Sequence, residues 1–134
     1  MKTPPNIGAA FEQTFVVEQP HLIDFAGDSL PAVLCTPALV GFLENTARRA
    51  LMPFLDPTEQ TVGTEIELRH LAPTPLGETV TCRARVIGVE GSRITLQVEA
   101  RDEHELIARG LHTRHVILVE RFARVVQRKT APQD

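Results

Sequence analysis

Apolar positions along this chain change their spacing several times, and each change marks a new element. Phe11, Gln13, Phe15 and Val17 share one side of a period of two, which predicts a first strand over Phe11–Glu18. From His21 to Pro31 the period is lost, and Gly27, Asp28 and Pro31 mark a loop with room for a turn of helix. Leu39, Leu43, Ala47, Ala50 and Phe54 then recur at helical spacing, with Val40 and Leu51 beside them. Thr36-Pro37 reads as the start of that helix, a Thr N-cap followed by Pro at the first helical position. Pro53 and Asp56-Pro57 end it. Beyond them the period returns to two. Val62–Leu71 is extended. Val80, Cys82, Ala84 and Val86 alternate with polar residues, as do Ile94, Leu96, Val98 and Ala100, and Leu106–Val119 is a last long strand. Four consecutive strands with turn signals at Glu90-Gly91 and Asp102–Glu105 imply an antiparallel sheet. Neither that sheet nor the helix can bury its apolar face alone, so the expected class is α+β, sheet against helix.

Length fits one domain over 1–134, with residues 1–10 read as a loose arm and 131–134 as a disordered end. The net charge of −3 and six aromatic residues, all Phe, deny nucleic acid both a basic footprint and Tyr or Trp stacking. No apolar run approaches the roughly 18 residues of a membrane span, and Met1–Ala10 has no apolar core of a signal peptide. Two cysteines, Cys35 and Cys82, without metal-type spacing fit a reduced, cytoplasmic protein.

Glu44 borders the apolar stripe of the helix. A carboxylate there is either partly buried and available for acid–base work, or paired with Arg48 one turn on. Thr36 is explained by capping alone, yet a hydroxyl at the positive end of a helix can also hold a reacting group. Cys35 shares that position; Cys82 reads as core. His112 and His115, three apart on a strand, face opposite sides and do not share a metal. His21 and His104 lie in loops without evident partners. His70 closes an extended run before Pro73 and Pro75, whose rigid loop fixes a side chain at the sheet edge.

Two strings go further. Val62-Gly63-Thr64, then His70-Leu71-Ala72-Pro73-Thr74-Pro75-Leu76-Gly77, resemble the signature of fluoroacetyl-CoA thioesterase-like proteins. Upstream, Val33-Leu34-Cys35-Thr36-Pro37 leads into the helix bearing Glu44 as in that family, and the likeness covers about residues 11–120. It implies a hotdog fold, a curved antiparallel sheet wrapped around one long helix, in a homodimer with its site between subunits. It also implies catalytic roles for Thr36, Glu44 and His70, and places Gly63, Arg114 and Phe25 near the substrate. The implied activity is hydrolysis of a small or medium acyl-CoA, with CoA part of the substrate and no metal or redox cofactor. Arg69, Arg83, Arg85 and Arg114 are candidates for the CoA phosphates. Two other readings stay open: a non-catalytic acyl-CoA-binding module, and an enoyl-CoA hydratase, whose Asp–His motif this chain lacks.

Overall fold

Five strands pair antiparallel in one sheet: β1 (Ala10–Val16), β2 (Glu59–His70), β3 (Thr79–Glu90), β4 (Arg93–Arg101) and β5 (Leu106–Leu118). Their order is β1-β3-β4-β5-β2. The structure, a computed structural model, describes residues 1, 3–23 and 29–132. Gly91, with φ +60°, makes the tight β3–β4 turn that a Cβ would strain. Asp102 shapes the β4–β5 turn, its Oδ1 accepting the His104 and Glu105 N–H groups at 2.8 and 2.9 Å. β2 arrives after the helix and pairs with the last strand, β5, so β1 and β2 are the two edges.

The long helix α1 (Thr36–Leu51) lies on one face of this sheet. It buries Leu39, Phe42, Leu43, Thr46, Ala47, Ala50 and Leu51. Opposite them stand the alternating residues Val80, Cys82, Ala84 and Val86 of β3, and Ile94, Leu96, Val98 and Ala100 of β4. Each fully buried Leu on α1 contributes about 1.5–3 kcal/mol. The apolar stripe is wider than the spacing predicts. Phe42 stacks on Phe15 with centroids 4.4 Å apart, and the Thr46 hydroxyl is neutralised by donating to Phe42 O at 2.8 Å. A curved antiparallel sheet around one long helix is the arrangement the resemblance implies.

Three expectations need correction. Thr36 is not the N-cap. Cys35 has extended dihedrals (φ −83°, ψ 155°) and its carbonyl accepts the first helical bond, from Leu39 N at 3.1 Å, so Thr36 is already inside the helix. The last strand ends at Leu118, and a second helix follows, α2 (Val119–Thr130). Val119, Phe122, Val125 and Val126 fall on one side of it and Arg121, Arg124 and Arg128 on the other, an amphipathic pattern hidden behind the basic composition of the tail. The N-terminal arm is docked: Gly8 N donates to Val86 O at 2.8 Å, Pro5 is buried, and the Met1 amine lies 2.6 Å from Glu59. No described helix is long and apolar enough to cross a membrane.

β2 contains one irregularity that governs the site. Gly63 pairs with Arg114 and Glu65 with Thr113, leaving Thr64 as an extra residue, a β-bulge. Before the bulge the odd residues Glu59 and Thr61 face inward; after it the even residues Ile66, Leu68 and His70 do.

Candidate active site

Two groups of polar side chains lie between α1 and β2. At the start of α1, Thr36 Oγ1 is 2.7 Å from His70 Nδ1. Thr36 reaches it because it occupies the first helical turn, and His70 because β2 ends there. The following loop is held by Leu34 N donating to Thr74 O at 2.9 Å, and by the buried Thr74 hydroxyl donating to Asp102 at 3.0 Å. Burial holds the His70 pKa below its ordinary value, and the nearby Ala72 main chain opposes this only in part. The ring is therefore neutral near pH 7, as a proton acceptor must be. Its Nε2 is buried with no hydrogen-bond partner among the described residues.

Two turns along the helix, Glu44 meets the bulge. Its Oε2 lies 3.5 Å from Arg114 Nη1, and Arg114 is almost wholly buried. Thr61 anchors that guanidinium, Oγ1 accepting Nε–H and the carbonyl accepting Nη2–H, each at 2.9 Å. His112 Nε2 is 3.2 Å from Arg114 Nη1, and its Nδ1 is 2.8 Å from Glu65 O. A Cβ on Gly63 would collide with Glu44 Oε2 and stand 3.0 Å from His112 and 3.2 Å from Arg114. Gly63 is thus the floor on which the Glu44 carboxylate rests. A cleft of about 420 Å3 opens here, lined by Gly41, Glu44, Asn45, Arg48, Gly63 and Arg114 among others. A pair with Arg48 is not formed; the Arg48 guanidinium turns to Met52 Sδ at 3.6 Å.

The structure joins Thr36 with His70, and Glu44 with Gly63 and Arg114, but these two groups do not touch within one chain. Eight residues of helix separate Thr36 from Glu44, roughly 12 Å of rise. Phe25 lies outside the described residues. Of the four arginines considered for CoA phosphates, only Arg114 faces the helix. Arg83 and Arg85 sit on the outer face, near Glu12 at 3.9 Å and Gln97 at 2.8 Å, and Arg69 alternates outward with them. The sequence does not single out Thr61, and His112 is weighed there only with His115, against a shared metal. Their signal was parity: His112 and Arg114, two apart on one strand, share a face.

Comparison with known proteins gives the family. Residues 17–120 match the family model described as fluoroacetyl-CoA-specific thioesterase. The chain belongs to this family. Its relative, the fluoroacetyl-CoA thioesterase of Streptantibioticus cattleyicolor, is 37% identical over 141 residues, covering 97% of this chain and 98% of that protein. The fluoroacetyl-CoA-specific thioesterase structure superposes with a TM-score of 0.88 at 34% identity, over 97% of this chain and all of that one. A mutant of it in complex with fluoroacetate and CoA gives 0.81 at 35% identity, over 88% and 99%. A thioesterase superfamily member from Thermus thermophilus gives 0.87 at 28%, over 95% and 94%. Family membership makes the fold a hotdog and the protein a thioester hydrolase.

Proposed function

We propose that this protein hydrolyses a short acyl-CoA to the free acid and CoA, using Thr36, Glu44 and His70. The observation that carries the reading is the Thr36–His70 contact at 2.7 Å. Attack on a thioester needs a base, a way to return a proton to the leaving thiolate, and donors for the oxyanion. Glu44, oriented by Arg114 over Gly63, takes the proton of the attacking water. Neutral His70, in contact with the Thr36 hydroxyl, accepts that proton from Glu44 in turn and gives it to the CoA sulfur as the C–S bond breaks. Main-chain N–H groups at the start of α1, Pro37 excepted because it has none, offer donors to the oxyanion. No metal or redox cofactor enters this scheme, and CoA is part of the substrate. Two unpaired cysteines suit a reduced, cytoplasmic setting.

Because Glu44 and the Thr36–His70 pair stand apart in one chain, we read the working unit as a homodimer. β2 is an open edge, and Gly63 and His70 lie towards opposite ends of it. An antiparallel β2–β2 pair carries the Gly63–Glu44 end of one protomer toward the partner's His70, completing a site from both chains. Sedimentation at micromolar concentration tests the assembly, and finding only monomer would refute it. Thiol release from fluoroacetyl-CoA, acetyl-CoA and longer acyl-CoAs tests the chemistry. Turnover of short acyl chains is expected; tight binding with no thiol released favours an acyl-CoA-binding module instead.

A further inference from the structure

Arg114 can only donate hydrogen bonds, and that fact fixes the state of its neighbour. Nη1 of Arg114 points at His112 Nε2 across 3.2 Å, so Nε2 must present a lone pair. On the other side of the ring, Nδ1 lies 2.8 Å from the carbonyl of Glu65, which can only accept, so Nδ1 must carry the proton. Both neighbours demand the same species, the neutral Nδ1–H tautomer. A protonated ring would aim an N–H at the N–H of a cation.

We propose that His112 is a positioning residue: the Nε2 lone pair of its neutral Nδ1–H form anchors Arg114, and through Arg114 the orientation of Glu44 over Gly63. The proposal rests on Glu44 carrying the chemistry. His112 is 2% exposed, and the charged groups around it come from two elements. Glu44 and Arg48 lie on α1 and Arg114 on its own strand. β2 contributes the Glu65 carbonyl, and on β4 the residue opposite is the apolar Leu96. Burial keeps the His112 pKa below its ordinary value; the Glu65 bond opposes this, Arg114 reinforces it and Glu44 opposes it.

Two substitutions separate positioning from mere packing. Gln at 112 can place an oxygen acceptor near Arg114 and cannot titrate, whereas Leu fills similar space without an acceptor. With acetyl-CoA as the probe, His112→Leu should lower kcat by about 10- to 100-fold, the scale of one lost charge-assisted hydrogen bond. His112→Gln should recover most of the loss, with KM little changed in both. Equal kcat for folded Gln and Leu variants would overturn the proposal. A second measurement needs no turnover. Imidazole 15N spectra of the wild-type protein should show His112 neutral and protonated on Nδ1 from pH 7.5 down through the ordinary histidine range. An Nε2–H tautomer, or a cationic ring at pH 7, would overturn it even if every variant folds poorly. Failure of the wild type to release thiol would instead refute the thioesterase reading and leave the tautomer result standing.

Discussion

A single added methyl group should have different consequences at two glycines on neighbouring strands. At Gly63 the new Cβ would occupy the place of Glu44 Oε2, the far end of a side chain that is 47% exposed. The carboxylate can swing into the cleft, giving up a 3.5 Å contact with Arg114 while the guanidinium keeps both bonds to Thr61. A half-exposed pair of this length is worth about 1 kcal/mol or less. The reduced freedom of the unfolded chain returns about 0.4–1 kcal/mol. The two nearly cancel, but the new Cβ also crowds the buried His112 at 3.0 Å and Arg114 at 3.2 Å, so Gly63→Ala should melt a few degrees below wild type, and less far below it than Gly110→Ala. Its activity should not survive as well, since a displacement near 1 Å of a reacting group costs about 100-fold in rate. At Gly110 the Cβ would collide with the Glu67 carbonyl and lie 3.0 Å from the Leu68 Cα, main chain that cannot swing aside. Gly110→Ala must push β5 from β2 and should cost about 1–3 kcal/mol, several degrees of melting temperature. Thermal melts and steady-state thiol release on purified variants decide the matter. A folded Gly63→Ala protein that turns over like wild type would show that the Glu44 position is irrelevant to the chemistry.

Thr36 makes no capping bond, so Thr36→Ala should leave the melting temperature nearly unchanged while kcat falls, with Thr36→Ser restoring part of it; a large loss of stability would return Thr36 to a structural role. Burial pushes the Cys82 thiol up to about 12, so at pH 8 iodoacetamide should modify Cys82 only after denaturant is added, as peptide mass mapping will show. Burial raises the Asp102 pKa, but the His104 and Glu105 N–H groups and the Thr74 hydroxyl outweigh it and leave the carboxyl below its usual range. That contribution is present above the unfolded pKa near 4 and is lost as pH falls through the lower folded value, so Asp102→Asn should flatten the acid limb of a denaturant stability curve. His70 and His112 act in the same direction at higher pH: both pKa values are depressed, so their contribution holds above about 6.5 and fades as acid drives protons onto the unfolded chain. Substituting both should reduce the slope of stability between pH 6.5 and 5.

Much of the fold was legible because its signals are local. The helix announced itself through Leu39, Leu43, Ala47 and Ala50, and β3 and β4 through clean alternation, since each buries one face against the other. The order of strands was not legible: pairing of β2 with β5 joins residues about fifty positions apart, and no local spacing records it. Capping chemistry misled at Thr36, where a hydroxyl beside a proline looks the same whether it serves the helix or a histidine 34 residues away. Glu44 showed through its place at the border of the stripe, but its partner came from β5 rather than from Arg48 on the same helix. α2 escaped because its apolar residues follow a strand directly, and a helix that buries nothing leaves no core-facing run to read.

The extra residue in β2 also constrains how this chain can change length. Gly63 and His70 are seven positions apart, an odd number that on a regular strand would send them to opposite faces of the sheet. Thr64 restores agreement, letting Thr61, Gly63, Ile66, Leu68 and His70 look the same way. Adding one residue after Glu65, with the bulge kept, would therefore rotate the rest of the strand by a half-turn. His70 would turn toward solvent together with Ile66 and Leu68, and no side-chain substitution could compensate. Insertions are tolerable at Gly91-Ser92, where only a hairpin lengthens. Within these seven residues the count itself is under constraint, and functional relatives of this protein should not exceed it even where the side chains differ.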